Sequence, residues 1–283
     1  MKILRVFPRR TSQTPTDDLA FVGKPPLFRP EADEVHVSCI FTWDKPEAER
    51  IAEHWRAFYP VVRVGGPAYD DPGDEFVAGR YIKPGWTFTS RGCPNDCWFC
   101  LVPKREGKLR ELKTITPGYK IQDNNLTACS EAHLDRVFSM LATQRNVDFI
   151  GGLEAGRITD GFVERLRGVH LYRATTAYDL TSDEQPVKDA VLRLARAGLR
   201  KRQIGVYVLV GYEGDTIERA TTRLETAWEW GALPFAMLYR DPMAPPVEDR
   251  SKGGNLADHQ WRELQRMWSR PIAMFAMHKE HHP

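Results

Sequence analysis

The sequence predicts an α/β protein: a partial TIM-type barrel of six β/α units, preceded by a small Rossmann-like βαβ segment. Two observations support this. From Trp86 onward, short runs rich in β-branched and aromatic residues alternate with helical stretches, which is typical of a parallel sheet covered by helices. Upstream, one strand–helix–strand unit ends at a pair of glycines. Six units are fewer than the eight of a closed barrel, so we expect a partial one.

The composition is that of an ordinary globular protein. Of the 283 residues, 42% are hydrophobic and 28% are charged, and the net charge is +2. No apolar run approaches the ~18 residues that a membrane span needs, and the N-terminus does not resemble a secretory signal. We therefore expect a cytoplasmic protein with no membrane partner. The 5 cysteines are unevenly spaced, which argues against a disulfide framework and favours a metal or redox role.

The N-terminal segment, 1–85, is expected to be a small, degenerate Rossmann-like unit. Residues 34–44 are rich in β-branched and aromatic side chains and predict a strand. A helix is predicted over 45–58, where a proline is followed by good helix formers, and a second strand over 61–66.

The predicted core spans 86–245. Its predicted strands are 86–90, 120–126, 146–152, 170–179, 203–211 and 233–241. Its predicted helices lie at about 130–143, 159–167, 185–198 and 215–230, with a further helix at about 257–268. The C-terminal segment, 246–283, carries that last helix and is a candidate lid. In such folds the ligands bind at the carboxyl ends of the strands.

Three cysteines lie on the loop after the first core strand, in the stretch "FTSRGCPNDCWFC". Their spacing is Cys93-x3-Cys97-x2-Cys100. Structural zinc takes four ligands, and no second ligand pair is evident nearby, although zinc and chance spacing stay open. An iron–sulfur cube normally takes four thiolates, so three would leave one iron with an open position.

The motif, in this place in the fold, resembles the radical S-adenosylmethionine (radical SAM) superfamily. The resemblance implies a [4Fe-4S] cluster on Cys93, Cys97 and Cys100, with SAM bound to the fourth iron. One electron then cleaves SAM to a 5′-deoxyadenosyl radical, which abstracts hydrogen from the substrate. It also implies that Phe99, beside Trp98, packs against cluster or adenine. A reductant such as flavodoxin or ferredoxin is implied as partner.

Further segments resemble the SAM-binding elements of that family. The glycines in "FIGGLEAG", Gly151 and Gly152, match the pair that binds the SAM amino group. The resemblance implies that SAM contacts Thr176 and Asp179, which lie in "ATTAYD". It also implies that Gly211, in "VYVLVGYEGDT", lies near the adenine. The chain departs from the pattern in two places: Leu153 stands where the family often has Glu, with Glu154 one residue later, and Asp215 stands where Glu is usual.

Substrate residues are expected on the same rim. Asp123 and Asn125 close the second core strand and Arg240 closes the sixth. Two basic segments, 104–113 and 196–203, are either solvated faces or contacts for an anionic partner. The substrate is a small molecule or a modified nucleotide in DNA. The chain is similar to compact members encoded by phages and prophages, which implies isomerisation of an amino-acid-modified thymidine in phage DNA, within the host cytoplasm.

Several alternatives stay open. The N-terminal segment is similar to part of the cobalamin-binding half found before many radical SAM barrels, but it has a single βαβ unit and no Asp-x-His-x-x-Gly motif, so cobalamin is not expected. A cobalamin-type radical SAM methyltransferase is one alternative. A non-catalytic iron–sulfur electron carrier or redox sensor is another, and a zinc-bearing nucleic-acid-binding module is a third. Sulfur insertion is disfavoured, since no second cysteine cluster exists.

Overall fold

The computed structural model describes residues 1–71, 76–241 and 256–279. These residues form two parallel β-sheets, each with its own hydrophobic cluster. The α/β class and the parallel sheets are therefore confirmed. The boundary between 85 and 86 stays a prediction. None of the helices in the described ranges is long and apolar enough to cross a membrane.

The first sheet lies in the N-terminal segment. Its elements are β1 (Ile3–Phe7), β2 (Ala20–Val22), β3 (Glu34–Ser38), α1 (Lys45–Arg56) and β4 (Val62–Gly65). The strands are all parallel, in the order β2-β1-β3-β4. The predicted βαβ unit corresponds to β3-α1-β4, and its first strand is shorter than expected. The sheet also contains β1 and β2, which were not predicted. Alternate residues of β3 are buried because α1 packs on that face with Ile51 and Trp55.

The second sheet has six parallel strands. They are β5 (Trp86–Thr87), β8 (Lys120–Ile121), β9 (Arg145–Leu153), β10 (His170–Ala177), β11 (Ile204–Val210) and β12 (Leu233–Leu238). Their order in the sheet, β12-β11-β10-β9-β8-β5, follows the chain. Each of the four inner strands is thus hydrogen-bonded to the sheet strands before and after it in sequence, and β5 and β12 are the edge strands.

A two-stranded antiparallel ribbon separates β5 from β8. It pairs β6 (Ser90–Arg91) with β7 (Arg110–Glu111), and the short helix α2 (Val102–Arg105) lies between them. The predicted strand over 86–90 is therefore divided: Trp86 and Thr87 join the parallel sheet, whereas Ser90 belongs to the ribbon. The predicted strand over 120–126 is correspondingly reduced to two residues.

Helices follow β8 to β12. They are α3 (Glu131–Leu141), α4 (Asp160–Leu166), α5 (Glu184–Arg196), α6 (Ile217–Glu229), α7 (Leu256–Met267) and α8 (Pro271–Lys279). Apolar side chains on these helices pack against the valines of β11 and against Phe149 of β9. The last helix, α8, was not expected from the sequence. Most of the candidate lid before α7 lies outside the described residues.

Candidate functional site

The cysteine loop leaves β6 and enters α2. Its turn begins at Gly92, where φ is +77° and an added Cβ would lie 2.2 Å from the carbonyl oxygen of Lys108. The Cys93 N–H donates to the carbonyl of Gly107 at 3.2 Å, and the Cys100 N–H donates to that of Cys97 at 3.0 Å. Glycine is therefore required where the two ends of the loop approach each other.

An ion pair joins the two ends of the loop. The Arg91 Nε lies 2.8 Å from Glu106 Oε2, and both side chains are largely buried. The Gly92 N–H donates to Glu106 Oε2 at 3.3 Å and to Asn124 Oδ1 at 3.0 Å. The segment that carries the thiols is therefore closed at its base by protein contacts alone.

The three thiols share one electrostatic environment. Burial raises the pKa of Cys97, and the nearby thiols of Cys100 and Cys93 raise it further. Burial raises the pKa of Cys100 as well, with Cys93 again contributing. The Asn125 Nδ2 donates to the Cys93 Sγ at 3.5 Å. In the part of the chain that the structure describes, no three His, Cys, Asp or Glu side chains are gathered as a single metal ion would require.

The other two cysteines are buried. Burial raises the pKa of Cys39, at the end of β3, to about 11. It raises the pKa of Cys129, just before α3, to about 12. Both therefore stay protonated at neutral pH, as expected of small buried side chains.

The cysteine loop meets the carboxyl ends of several strands. Asn125, which contacts Cys93, follows β8, and Asp179, which raises the pKa of Cys97, follows β10. The ring of Trp98 lies 5.6 Å from that of Tyr212, after β11, and 5.6 Å from that of Tyr239, after β12. Phe99 packs edge-on against Trp98 at 5.4 Å. One short loop thus reaches the ends of β8, β10, β11 and β12.

Asn125 connects the loop to the end of β9. The same Nδ2 that reaches Cys93 also donates to Glu154 Oε2 at 2.8 Å. Its Oδ1 accepts the Thr127 hydroxyl at 3.0 Å, and the Glu154 N–H donates to the Thr127 hydroxyl at 3.0 Å. Glu154 therefore lies within the same hydrogen-bonded group as a thiol, although it is displaced by one residue from the expected position.

The two glycines of β9 differ in what surrounds them. An added Cβ on Gly151 would lie 1.9 Å from the carbonyl oxygen of Asp123 in the neighbouring chain segment. Gly152 has φ +90°, and an added Cβ there would meet nothing within 4 Å. Gly151 is therefore required by packing, whereas Gly152 is required by its conformation and faces open space.

Thr176 and Asp179 are both engaged with backbone groups. The buried Thr176 hydroxyl donates to the Leu153 carbonyl at 2.8 Å. Asp179 Oδ1 accepts the Leu209 N–H at 3.1 Å. Burial raises the pKa of Asp179 to about 6, opposed by the Leu209 N–H and by Arg223. This carboxyl group is therefore partly protonated near neutral pH.

Gly211 begins a loop that a buried ion pair holds. Its φ is +75°, and its N–H donates to Asp215 Oδ2 at 3.0 Å. Asp215 in turn pairs with Arg223 at 3.0 Å, with both side chains almost completely buried. Arg223 also donates to the Leu209 carbonyl at 2.9 Å. Arg223 was not expected from the sequence; the signal was a charge on the apolar stripe of α6, between Ala220 and Leu224.

Asp123 and Arg240, two predicted substrate residues, have other partners. Asp123 is buried, and its carboxylate accepts hydrogen bonds from Thr89 and Ser90. Arg240 lies over the ring of Trp43, 5.0 Å from its centroid. The two carboxylate oxygens of Asp123 are therefore used in holding the chain before the cysteine loop.

The N-terminal segment contacts the rim that carries the cysteine loop. Besides the contact of Arg240 with Trp43, Arg105 of α2 pairs with Asp70 at 3.1 Å. Both N-terminal residues follow strands of the first sheet, Asp70 after β4 and Trp43 after β3. Residues that follow strands of both sheets therefore lie near the cysteine loop.

Comparison with protein-family models found no match, and comparison with curated proteins found none either.

Proposed function

We propose that this chain is a radical SAM enzyme that binds a [4Fe-4S] cluster through Cys93, Cys97 and Cys100. The observation that carries the proposal is the position of the cysteine loop. The thiols of Cys93 and Cys100 raise the pKa of Cys97, and Cys93 also raises that of Cys100. The loop contacts residues that follow β8, β11 and β12, and it lies near Asp179 after β10. The carboxyl edge of the sheet is where α/β folds of this kind bind ligands.

The proposal includes a partial barrel formed by the second sheet. In a flat sheet, β5 and β12 would lie about 24 Å apart, at about 4.8 Å for each of the five strand spacings. The loop that follows β5 nevertheless reaches Tyr239 after β12, through Trp98. The Tyr207 hydroxyl of β11 also donates to the Ile150 carbonyl of β9 at 3.2 Å, past the intervening β10. The hydrogen bond from β11 to β9 supports a curved sheet, and the contact at Tyr239 is compatible with one.

The donor set consists of three thiols, the ligand type that iron–sulfur clusters take. Two of these thiols, Cys93 and Cys100, lie near enough to Cys97 to raise its pKa. Cys93, Cys97 and Cys100 would hold such a cluster, and together with SAM it would supply one-electron cleavage of SAM to a 5′-deoxyadenosyl radical.

The remaining residues would bind and orient SAM. The φ of Gly152 is positive, and no atom lies within 4 Å of where its Cβ would be. A ligand could therefore approach its peptide groups. Asp179 lies close enough to Cys97 to raise the pKa of that thiol. Gly211 begins the loop beside Tyr212, which touches Trp98 of the cysteine loop. These three positions surround the thiols from different strands.

The proposed substrate is an amino-acid-modified thymidine in phage DNA, which the enzyme would isomerise by hydrogen abstraction. This part of the proposal rests on the resemblance of the stretch "TSRGCPNDCWFC" to phage-encoded members. Asn125 and Arg240 are the candidate substrate residues on the rim. We place the reaction in the cytoplasm, that of the host cell for a phage-encoded chain, with flavodoxin or ferredoxin as reductant. The proposal does not include cobalamin, because the sequence lacks the Asp-x-His-x-x-Gly motif. The first sheet does have more strands than the single βαβ unit that was expected.

The test is anaerobic reconstitution with iron and sulfide, followed by dithionite and SAM. We expect a cluster with [4Fe-4S] spectra and 5′-deoxyadenosine in the products, and we expect Cys97→Ala to abolish both. Cys39→Ala is the matched control, because Cys39 is buried at the end of β3. A cluster that loads fully and yields no 5′-deoxyadenosine would instead support an electron carrier or redox sensor. For the substrate, an unchanged nucleoside mass in modified phage DNA would contradict the isomerase proposal.

A further inference from the structure

A cavity of about 730 Å³ lies at the other end of β11 from the cysteine loop. Its lining residues are Gly198, Arg200, Lys201, Arg202, Gln203 and Phe275. All except Phe275 belong to the connection from α5 to β11, so the cavity is at the amino end of that strand. The seven residues of β11 span about 23 Å at ~3.3 Å each, so the cavity is separate from the thiols.

The charges in this cavity have one sign. Arg200, Lys201 and Arg202 are consecutive, and no carboxylate pairs with any of them among the residues for which the structure gives contacts. Two are held on aromatic rings instead: the Lys201 Nζ lies 3.7 Å from the centroid of Trp228, and the Arg202 guanidinium carbon lies 4.9 Å from that of Phe275. The cavity therefore presents three positive charges, two of them held against rings, and none of them is paired with a carboxylate of the described residues.

The surroundings of Lys201 indicate that an anion would be stabilised here. Burial lowers the pKa of its ammonium group, because part of its hydration is lost without a carboxylate to replace it. An incoming phosphate would supply the missing negative charge and hydrogen-bond acceptors. The neighbouring Arg200 side chain is exposed and is available to the same ligand.

The lining favours one class of ligand. Pockets for small organic molecules are mostly apolar with a few polar groups, whereas half of the residues here are cations. An open cationic groove with an aromatic ring at its side is the arrangement that binds single-stranded nucleic acid, where phosphates meet the cations and bases stack on rings or guanidinium planes. Arg202 is exposed and lies over the ring of Phe275, so its guanidinium plane provides the stacking surface, with the ring behind it.

We propose that this cavity, formed by Arg200, Lys201, Arg202 and Phe275, binds single-stranded nucleic acid through its phosphate backbone. The site goes beyond the radical chemistry proposed above and requires neither the cluster nor SAM.

The test is fluorescence anisotropy of a labelled single-stranded DNA of about 15 nucleotides, within the usual range of site sizes. The 283-residue chain is titrated over a series of salt concentrations without SAM. We expect Arg200→Ala/Arg202→Ala to weaken binding at least about tenfold. The slope of log K against log salt should fall by about 1.4, since each lost phosphate contact removes about 0.7. Arg200→Lys/Arg202→Lys should keep most of the slope, because the charge is retained.

The matched control is Arg167→Ala/Lys188→Ala, which removes two exposed cations that do not line the cavity. Equal weakening by both alanine pairs, or no weakening by the first, would overturn the proposal. A competition experiment gives a further test. If inorganic phosphate displaced the labelled DNA as effectively as unlabelled DNA does at the same phosphate concentration, the site would be one for a single anion and the proposal would be overturned. Thermal unfolding verifies that each variant is folded, and Arg200→Gln/Arg202→Gln replaces the alanine pair if it is not. Since SAM is absent, a negative result leaves the 5′-deoxyadenosine experiment unaffected.

Discussion

Asp123 holds Thr89 by two hydrogen bonds: one carboxylate oxygen accepts the Thr89 N–H at 2.7 Å and the other accepts its hydroxyl at 2.5 Å. The Ser90 hydroxyl adds a third bond at 2.7 Å. The Thr89 hydroxyl uses its hydrogen in the bond to Asp123. The hydroxyl oxygen therefore acts as the acceptor for His133 Nε2, which lies 3.2 Å away. Burial lowers the pKa of His133, which favours the neutral ring that this arrangement uses. The network fixes the chain three residues before Cys93.

Asp123→Ala should lower the free energy of unfolding by about 3 kcal/mol or more. The substitution leaves three buried donors without their acceptor, and each such group costs about 1–3 kcal/mol. Urea unfolding followed by circular dichroism measures the loss. Asp189→Ala, at an exposed position of α5, is the control and should change stability by less than about 0.5 kcal/mol. A loss below 1 kcal/mol for Asp123→Ala would show that the network is not needed for folding.

The glycine pair of β9 allows two effects to be separated. Gly151→Ala should destabilise the fold by about 3 kcal/mol, since its Cβ would displace the backbone of Asp123, and overpacking of this kind costs about 1–3 kcal/mol or more. Gly152→Ala meets no atoms and should lose only about 1 kcal/mol through its positive φ. Under the proposed function, Gly152→Ala also raises the KM for SAM. Equal destabilisation in urea would contradict the difference in packing.

The stability of the protein should depend on pH through Asp179. The unfolded carboxyl group loses its proton near pH 4, whereas the folded one keeps it up to about pH 6. Between these values unfolding releases a proton, so the stability of the folded state falls as the pH rises. Asp179→Asn keeps an oxygen for the Leu209 N–H and removes the titration. We expect the variant and the parent to be similarly stable near pH 4, and the variant to be more stable at pH 7.5. The same difference at both pH values would contradict this.

The five cysteines should differ in reactivity in the metal-free protein. A maleimide at neutral pH should modify Cys97 before Cys39 and Cys129, because Cys97 is exposed at the surface even though partial burial of its thiol raises its pKa. Cys39 and Cys129 should resist, since they are buried and burial raises their pKa values to about 11 and about 12. Mass spectrometry of peptides after timed quenching measures the order. The unfolded chain is the control, in which all five should react at similar rates.

Much of the second sheet could be predicted from the sequence because its longer strands are apolar runs between helices. The shortest elements could not. The three residues of β2 carry no pattern, and β6 pairs with β7 across a loop that no local signal connects. The helix α8 is apolar on all sides, so it lacks the periodicity that reveals an amphipathic helix.

The candidate site was visible only in part. The spacing of Cys93, Cys97 and Cys100 is a local signal, and a glycine pair after a strand is another. The sequence could not indicate which way a polar side chain turns once a strand ends, and so Asp123 was expected to face the substrate. Contacts between residues far apart in the chain, such as Arg223 with Leu209 and Asn125 with Cys93, need the fold itself.

The base of the cysteine loop is held by Arg91, Gly92 and Glu106 without any help from a metal. In zinc fingers, by contrast, the free energy of metal binding is the free energy of folding. Under the proposed function, loss of iron in air would therefore abolish the activity while these contacts keep the base of the loop closed. The apoprotein could then bind a new cluster without having to refold, so that a damaged copy would be repaired instead of replaced.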